Sequence, residues 1–148
     1  MEVKFRVEGF KEAEQALMEL PKATAKASVR RWLKALLIPI ADAGRSNAPE
    51  RMGTLKESYG VGTRLTKRQR KVSRRESEVE VYAGPGQDGA AQGVQTEFGN
   101  EHQAAQPHLR PAWDAHKGGL LEKLKPLMWA DIEKTVARFR KRQAKAGK

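Results

Sequence analysis

Ala48-Pro49-Glu50-Arg51-Met52-Gly53-Thr54-Leu55-Lys56-Glu57-Ser58 is the stretch on which the reading of the chain turns. Pro49 has no N–H and biases Ala48 away from helical backbone, so a helix ends before it. Gly53 supplies the freedom for a turn. Leu55 is then the first apolar residue of the next element, which the pattern after Ser58 makes a strand.

Upstream, Val29, Leu33, Leu36, Leu37, Ile40, Ala41 and Gly44 form one stripe at helical spacing. The stripe predicts a helix over 23–46, with Arg30, Arg31 and Lys34 off the buried face and Asn47 at its C-terminal end. Pro39 lies inside it and predicts a kink or a split near residues 35–36. Earlier still, Val3, Phe5 and Val7 alternate with charged residues, the period of a strand over 2–8. Gly9 closes that strand. A short helix over 10–20 follows, carried by Phe10, Ala13, Leu17 and Leu20 and stopped by Pro21.

Downstream, alternation predicts strands over 58–65 and 79–83. The connection between them is dense in cations: Arg64, Lys67, Arg68, Arg70, Lys71, Arg74 and Arg75. It reads as an exposed basic hairpin arm over 64–77. Gly84-Pro85-Gly86-Gln87-Asp88-Gly89 closes the sheet and opens an irregular stretch to Pro107, in which residues 94–98 fit a helical turn or a short strand equally well. Pro111 suits a first helical position. From there Leu120, Leu124, Leu127, Met128, Ile132, Val136 and Phe139 predict helix toward Gln143, with breaks at Gly118-Gly119 and Pro126. Residues 140–148 read as a basic, fraying tail. The sum is one α+β domain over 1–148: a small antiparallel sheet packed against two long helices, with an extended basic hairpin loop.

Composition narrows the function. The chain has 148 residues, 39% hydrophobic, with a formal net charge of +11 and a mean hydropathy of -0.72. It has no cysteine, so there is no disulfide framework and no thiolate metal site. The run Leu36-Leu37-Ile38-Pro39-Ile40 is too short to span a membrane, and residues 1–5 carry no apolar signal region. The charge is polarised. Residues 76–114 hold seven acids against one base, a net −6 that leaves +17 on the remainder. Such a chain is suited to stacking on copies of itself or on unlike neighbours, or to showing a basic face to nucleic acid.

No nucleophile elbow, phosphate loop or dinucleotide fingerprint occurs, so no enzyme and no cofactor is expected. His102, His108 and His116, with Glu97 and Asp114, lack the spacing of a metal site and read as surface residues. Glu97 lacks a sequence neighbour that would make it a general base; it reads as a helix-turn or interface carboxylate that could pair with Arg110. The arm lacks interleaved aromatics, so it fits phosphate contact and not base stacking. Trp32, Trp113 and Trp129 fall in predicted helices, as core or subunit anchors.

Ala48-Pro49 with Gly53, Leu55 and Ser58, followed by Glu97-Phe98-Gly99 and by Pro107-His108-Leu109-Arg110-Pro111-Ala112, resembles the phage HK97 gp10-like family. The resemblance runs over about 9–115. It departs at Asn100, where a threonine is usual, at His108-Leu109, where an aromatic often follows the proline, and in the basicity of the arm. It implies a neck or tail-completion protein of a long-tailed phage. Such a protein would be made in the host cytoplasm and placed in the virion. It would form a homo-oligomeric ring, of six copies, joining the head connector to the tail terminator or tail tube around the genomic DNA, with no membrane. Glu97, Phe98, Gly99, Pro107, Leu109, Arg110 and Pro111 would then serve as subunit or partner contacts, and the arm would face DNA or an acidic neighbour. Two other readings compete: a freestanding, sequence-nonspecific DNA-binding protein, and a small metal-dependent nuclease using Glu97 or Asp114.

Overall fold

The computed structural model describes residues 15–51 and 53–147. The strand expected over 2–8 lies outside them, as does the first half of the 10–20 helix; residues 15–18 are helical. The elements that follow are α1 (Lys22–Asn47), α2 (Thr54–Ser58), β1 (Tyr59–Gly62), α3 (Lys67–Val72), β2 (Tyr82–Pro85), α4 (Ala90–Phe98) and α5 (Leu109–His116). A 3-10 turn (Lys117–Gly119) then leads into α6 (Leu120–Ala146). This is α+β architecture, with one two-stranded antiparallel sheet and long helices at either end of the described chain.

Helix α1 is the element on which the others are assembled: β1, β2, α2, α5 and α6 all pack against it. Its stripe buries Leu36, Ile40, Ala41 and Gly44. Pro39 does not split it. Ala35 and Pro39 both lie on the exposed side, where water can take up the Ala35 carbonyl that proline leaves without a donor, while the buried residues on either side of Pro39 hold the helix to the core. Gly44 lets Tyr59 come close, since a Cβ there would stand 2.7 Å from the Tyr59 ring. Ala41, Ala48, Leu55 and Tyr59 form the core cluster, with Val61, Ala83 and Leu109 packed around it.

The Ala48–Ser58 stretch is helix, turn and then a single helical turn before the strand. Gly53 has φ +73°, as its turn requires, and Leu55 is buried. The unexpected element is α2, whose first N–H bond runs from Glu57 to the Gly53 carbonyl. Arg45 fastens the corner by donating to the Lys56 and Tyr59 carbonyls.

The hairpin is shorter than its sequence pattern. The pairs are Tyr59 with Pro85, Gly60 with Gly84, Val61 with Ala83 and Gly62 with Tyr82. The alternating acids before β2 are used otherwise. Glu80 accepts from the backbone N–H groups of Glu76 and Ser77, and Glu78 pairs with Lys22 and Lys26 of α1. The Ser77 hydroxyl donates to the Val79 carbonyl, which competes with that group's place in a ladder. The arm is not a β-extension either. Thr66 and Gln69 close a capping box, and residues 67–72 form α3, exposed throughout. The stretch expected to be irregular contains α4, and Pro111 sits at the third position of α5 instead of the first.

The chain does break at Gly118-Gly119 but runs as helix through Pro126 to Ala146. Asp131 of α6 accepts from the Arg31 guanidinium and the Trp32 indole of α1. Asp131→Ala should lower stability by about 1–2 kcal/mol, as expected for loss of hydrogen bonds to a charged acceptor. The readout is urea denaturation together with hydrogen exchange along α6; an unchanged midpoint would show that this contact does not fasten the helix.

Candidate functional site

The segment joining α4 to α5 is built around one carboxylate. Glu97 lies in the last turn of α4 and is 6% exposed. Its Oε2 accepts from the backbone N–H groups of His108 (2.8 Å) and Leu109 (2.9 Å). Its Oε1 accepts from the Arg110 N–H (3.0 Å) and from Arg110 Nε (2.9 Å). Those three N–H groups open α5, and the next residue, Pro111, has none. The carboxylate thus satisfies the whole first turn of α5 at the positive end of its dipole. Burial alone would raise the Glu97 carboxyl. The three backbone donors, then the guanidinium, outweigh it and draw the carboxyl down to about 2.

His108 is 1% exposed and not a surface residue. The Tyr59 hydroxyl meets its Nδ1, while Nε2 lies 3.0 Å from Thr96 Oγ1 and 3.3 Å from the Gly93 carbonyl. One tautomer satisfies every group: Tyr59 donates to Nδ1, Nε2–H donates to Thr96, and Thr96 donates to the Gln92 carbonyl at 2.9 Å. Burial, then the Glu97 charge, pushes the Tyr59 hydroxyl upward in pKa, which keeps it a donor. Asn47, the last residue of α1, donates to the His108 carbonyl. A carboxylate this acidic, with its oxygens already engaged, is poorly matched to proton abstraction near neutral pH. The cluster is a latch that locks α4, α5, β1 and the end of α1 together.

What faces outward differs. The Arg110 guanidinium lies 4.8 Å from the centre of the Phe98 ring, which is 64% exposed. Val94, one turn earlier on α4, is also exposed. These side chains border an open groove of ≈ 590 Å³ that runs along the hairpin between α3 and α4. Beside it stands the basic arm. Arg75 is exposed and donates to the Ser77 and Glu78 carbonyls. Arg64, Lys67, Arg68, Arg70, Lys71 and Arg74 are exposed and carry no ion pair among the described residues.

A family model described as bacteriophage HK97-gp10, putative tail-component, matches residues 11–99, more than half of the chain. The chain belongs to the HK97-gp10-like family. No curated protein and no solved structure matches it. The match takes in the Ala48–Ser58 turn, the basic arm and Glu97-Phe98-Gly99, and it stops before Pro107. It therefore makes this a protein of a phage tail-component family.

In this HK97-gp10-like protein the residues singled out from sequence divide into two groups. Glu97 and Leu109 are used inside the chain, and Gly99 shapes the turn after α4. Phe98, Pro107, Arg110 and Pro111 are exposed. The pairing of Glu97 with Arg110 is present. The three histidines are not brought together: His116 donates to the Ala112 carbonyl, and the His102 backbone to Asn100. Among the described residues no group of three metal-ligating side chains is assembled, and no helix is long and apolar enough to cross a membrane. Sequence reasoning missed Tyr59 and Thr96 as partners of His108, because their contact depends on how three separate elements pack.

Proposed function

We propose that this protein is a structural component of the head–tail interface, a tail-completion or head–tail joining protein. Six copies form a ring that links the head connector to the tail tube around the DNA channel. The exposed residues of 96–112 meet a neighbouring subunit or partner, and the arm meets DNA or an acidic neighbour. The observation that carries this reading is the set of six exposed cations, four of them on a capped helix and two flanking it, that have no ion pair among the described residues, in a member of a phage tail-component family. A latch that fixes α4 and α5 supports it further, since it holds Phe98 and Arg110 rigid at the surface while they await a partner. Where copies meet in a ring, charged faces set register and exclude wrong neighbours.

Reversing charge at Arg68, Arg70, Lys71 and Arg74 should leave the far-ultraviolet circular dichroism spectrum unchanged, because none of the four is buried. It should abolish joining, so that filled heads and free tails accumulate separately in electron micrographs. Wild-type titre from the variant would rule out the arm's role. If instead the isolated protein shifts duplex DNA in gels, with an affinity that falls steeply with salt, the same cations serve a freestanding DNA-binding protein.

A further inference from the structure

The groove beside the arm has a character that a ring of cations around DNA does not explain. Its walls include apolar side chains from four places: Val61 of β1, Leu65 before α3, Val94 and Phe98 of α4, and Leu109 of α5. Arg64 and Arg110 line it, with Gln69 of α3. Among the described residues, the one carboxylate in its lining is Glu97, whose oxygens are engaged within the chain. Val94 and Phe98 are 60% and 64% exposed, leaving adjacent apolar side chains in water on one face of α4.

Two glycines of β1 point the same way. A Cβ on Gly60 or Gly62 would meet nothing within 4 Å, and neither residue has positive φ. Glycine in a strand weakens it, and nothing among the described residues requires glycine at either position. Bare backbone there leaves room for a second backbone to come close.

We propose that this groove is the docking site for an extended, acidic segment of a different protein. Its apolar side chains cover Val94 and Phe98, and its carboxylates face Arg64 and Arg110. Duplex DNA would use the cations but gain nothing from an apolar wall. A protein segment uses both, and Arg64 and Arg110 among the described lining residues select an acidic one. The inference is independent of the neck role, which only narrows where the partner is found.

The test replaces Val94 with photoreactive benzoylphenylalanine in the full-length chain, expressed in cells producing the phage. Irradiation is followed by sequencing of the cross-linked peptide, with the same label at exposed Leu121 of α6 as the control position. The expected product is one stretch of another protein with more Asp and Glu than Lys and Arg, absent from the Leu121 sample. Arg64→Glu should cut its yield at least about tenfold, since like charges across an interface are costly. Cross-linking to DNA, to another copy of this chain or to a basic stretch would overturn the proposal, as would no cross-link. The presence of the chain in purified particles is scored separately. Its absence there would count against the neck role alone.

Discussion

Glu97→Ala should destabilise the protein by about 3–5 kcal/mol, because a buried carboxylate is removed and three backbone donors lose their charged acceptor. The loss has three parts. The N–H groups of His108, Leu109 and Arg110 lose their acceptor at the start of α5. The Arg110 guanidinium loses the carboxylate that holds it over Phe98. The Tyr59–His108 contact loses the backbone anchor beside it. Glu97→Gln should cost less, about 2–3 kcal/mol, because its carbonyl oxygen can still accept while its NH2 faces donors. The pH dependence separates charge from shape. The carboxyl titrates at 4.5 ordinarily and at about 2 in the fold. A depressed carboxyl contributes stability that is fully present above the unfolded value and is lost as pH falls toward the folded one. About 3 kcal/mol should therefore disappear between pH 5 and pH 2. The amide cannot titrate, so the gap between wild type and Glu97→Gln should narrow across that window. The other depressed carboxyls, Glu78, Glu80 and Asp131, act in both proteins and cancel. A gap that stays constant from pH 7 to pH 2 in urea titrations would contradict the latch.

Gly99→Ala should cost about 3 kcal/mol, far more than most glycine substitutions outside a helix. Gly99 has φ +74°, where a side chain costs roughly 1–2 kcal/mol. A Cβ there would also stand 2.8 Å from the Ala105 nitrogen and 2.9 Å from the Gln103 carbonyl oxygen. Both are backbone atoms of a tight return, in which Asn100 and Gln103 bond each other and Gln106 donates to the Thr96 carbonyl. Neither can step aside without breaking it. Gly60→Ala is the matched contrast: ordinary backbone, open space and a stability change within about 0.5 kcal/mol. Thermal melts of the two variants should separate widely. Equal melting temperatures would mean that the return after α4 is not the constrained structure described here.

These two residues show how far the sequence could be read. Gly99 and Glu97 stood out as a motif, and pairing with Arg110 was accessible from charge and separation. That Glu97 caps α5 was not, because the cap comes from a residue 11 or more positions upstream of the N–H groups it serves, whereas local capping signals lie within a turn. Helix α1 was legible because its stripe is long and its end is marked by Pro49. Pro39 misled only about a split, since packing on both sides of it outweighs one missing hydrogen bond. Helix α4 was hidden by its small residues. Gly93 is buried because Pro85 and Leu55 come so close that no Cβ fits, a tertiary fact with no periodic trace. Helix α3 was visible in principle: Thr66-Lys67-Arg68-Gln69 is a capping-box sequence, overshadowed by the surrounding charge. The strand over 79–83 slipped to 82–85 because its alternating glutamates serve as acceptors and ion-pair partners.

The central claim, a ring at the head–tail interface, is tested most directly by counting. Quantitative mass spectrometry of purified virions from the phage that encodes this chain would compare its abundance with that of the portal protein. The account predicts that the chain is present at about half the portal's copy number, the ratio of a sixfold ring to a twelvefold one. Absence from virions, with the protein abundant in the lysate, would contradict it and put the freestanding DNA-binding reading in its place.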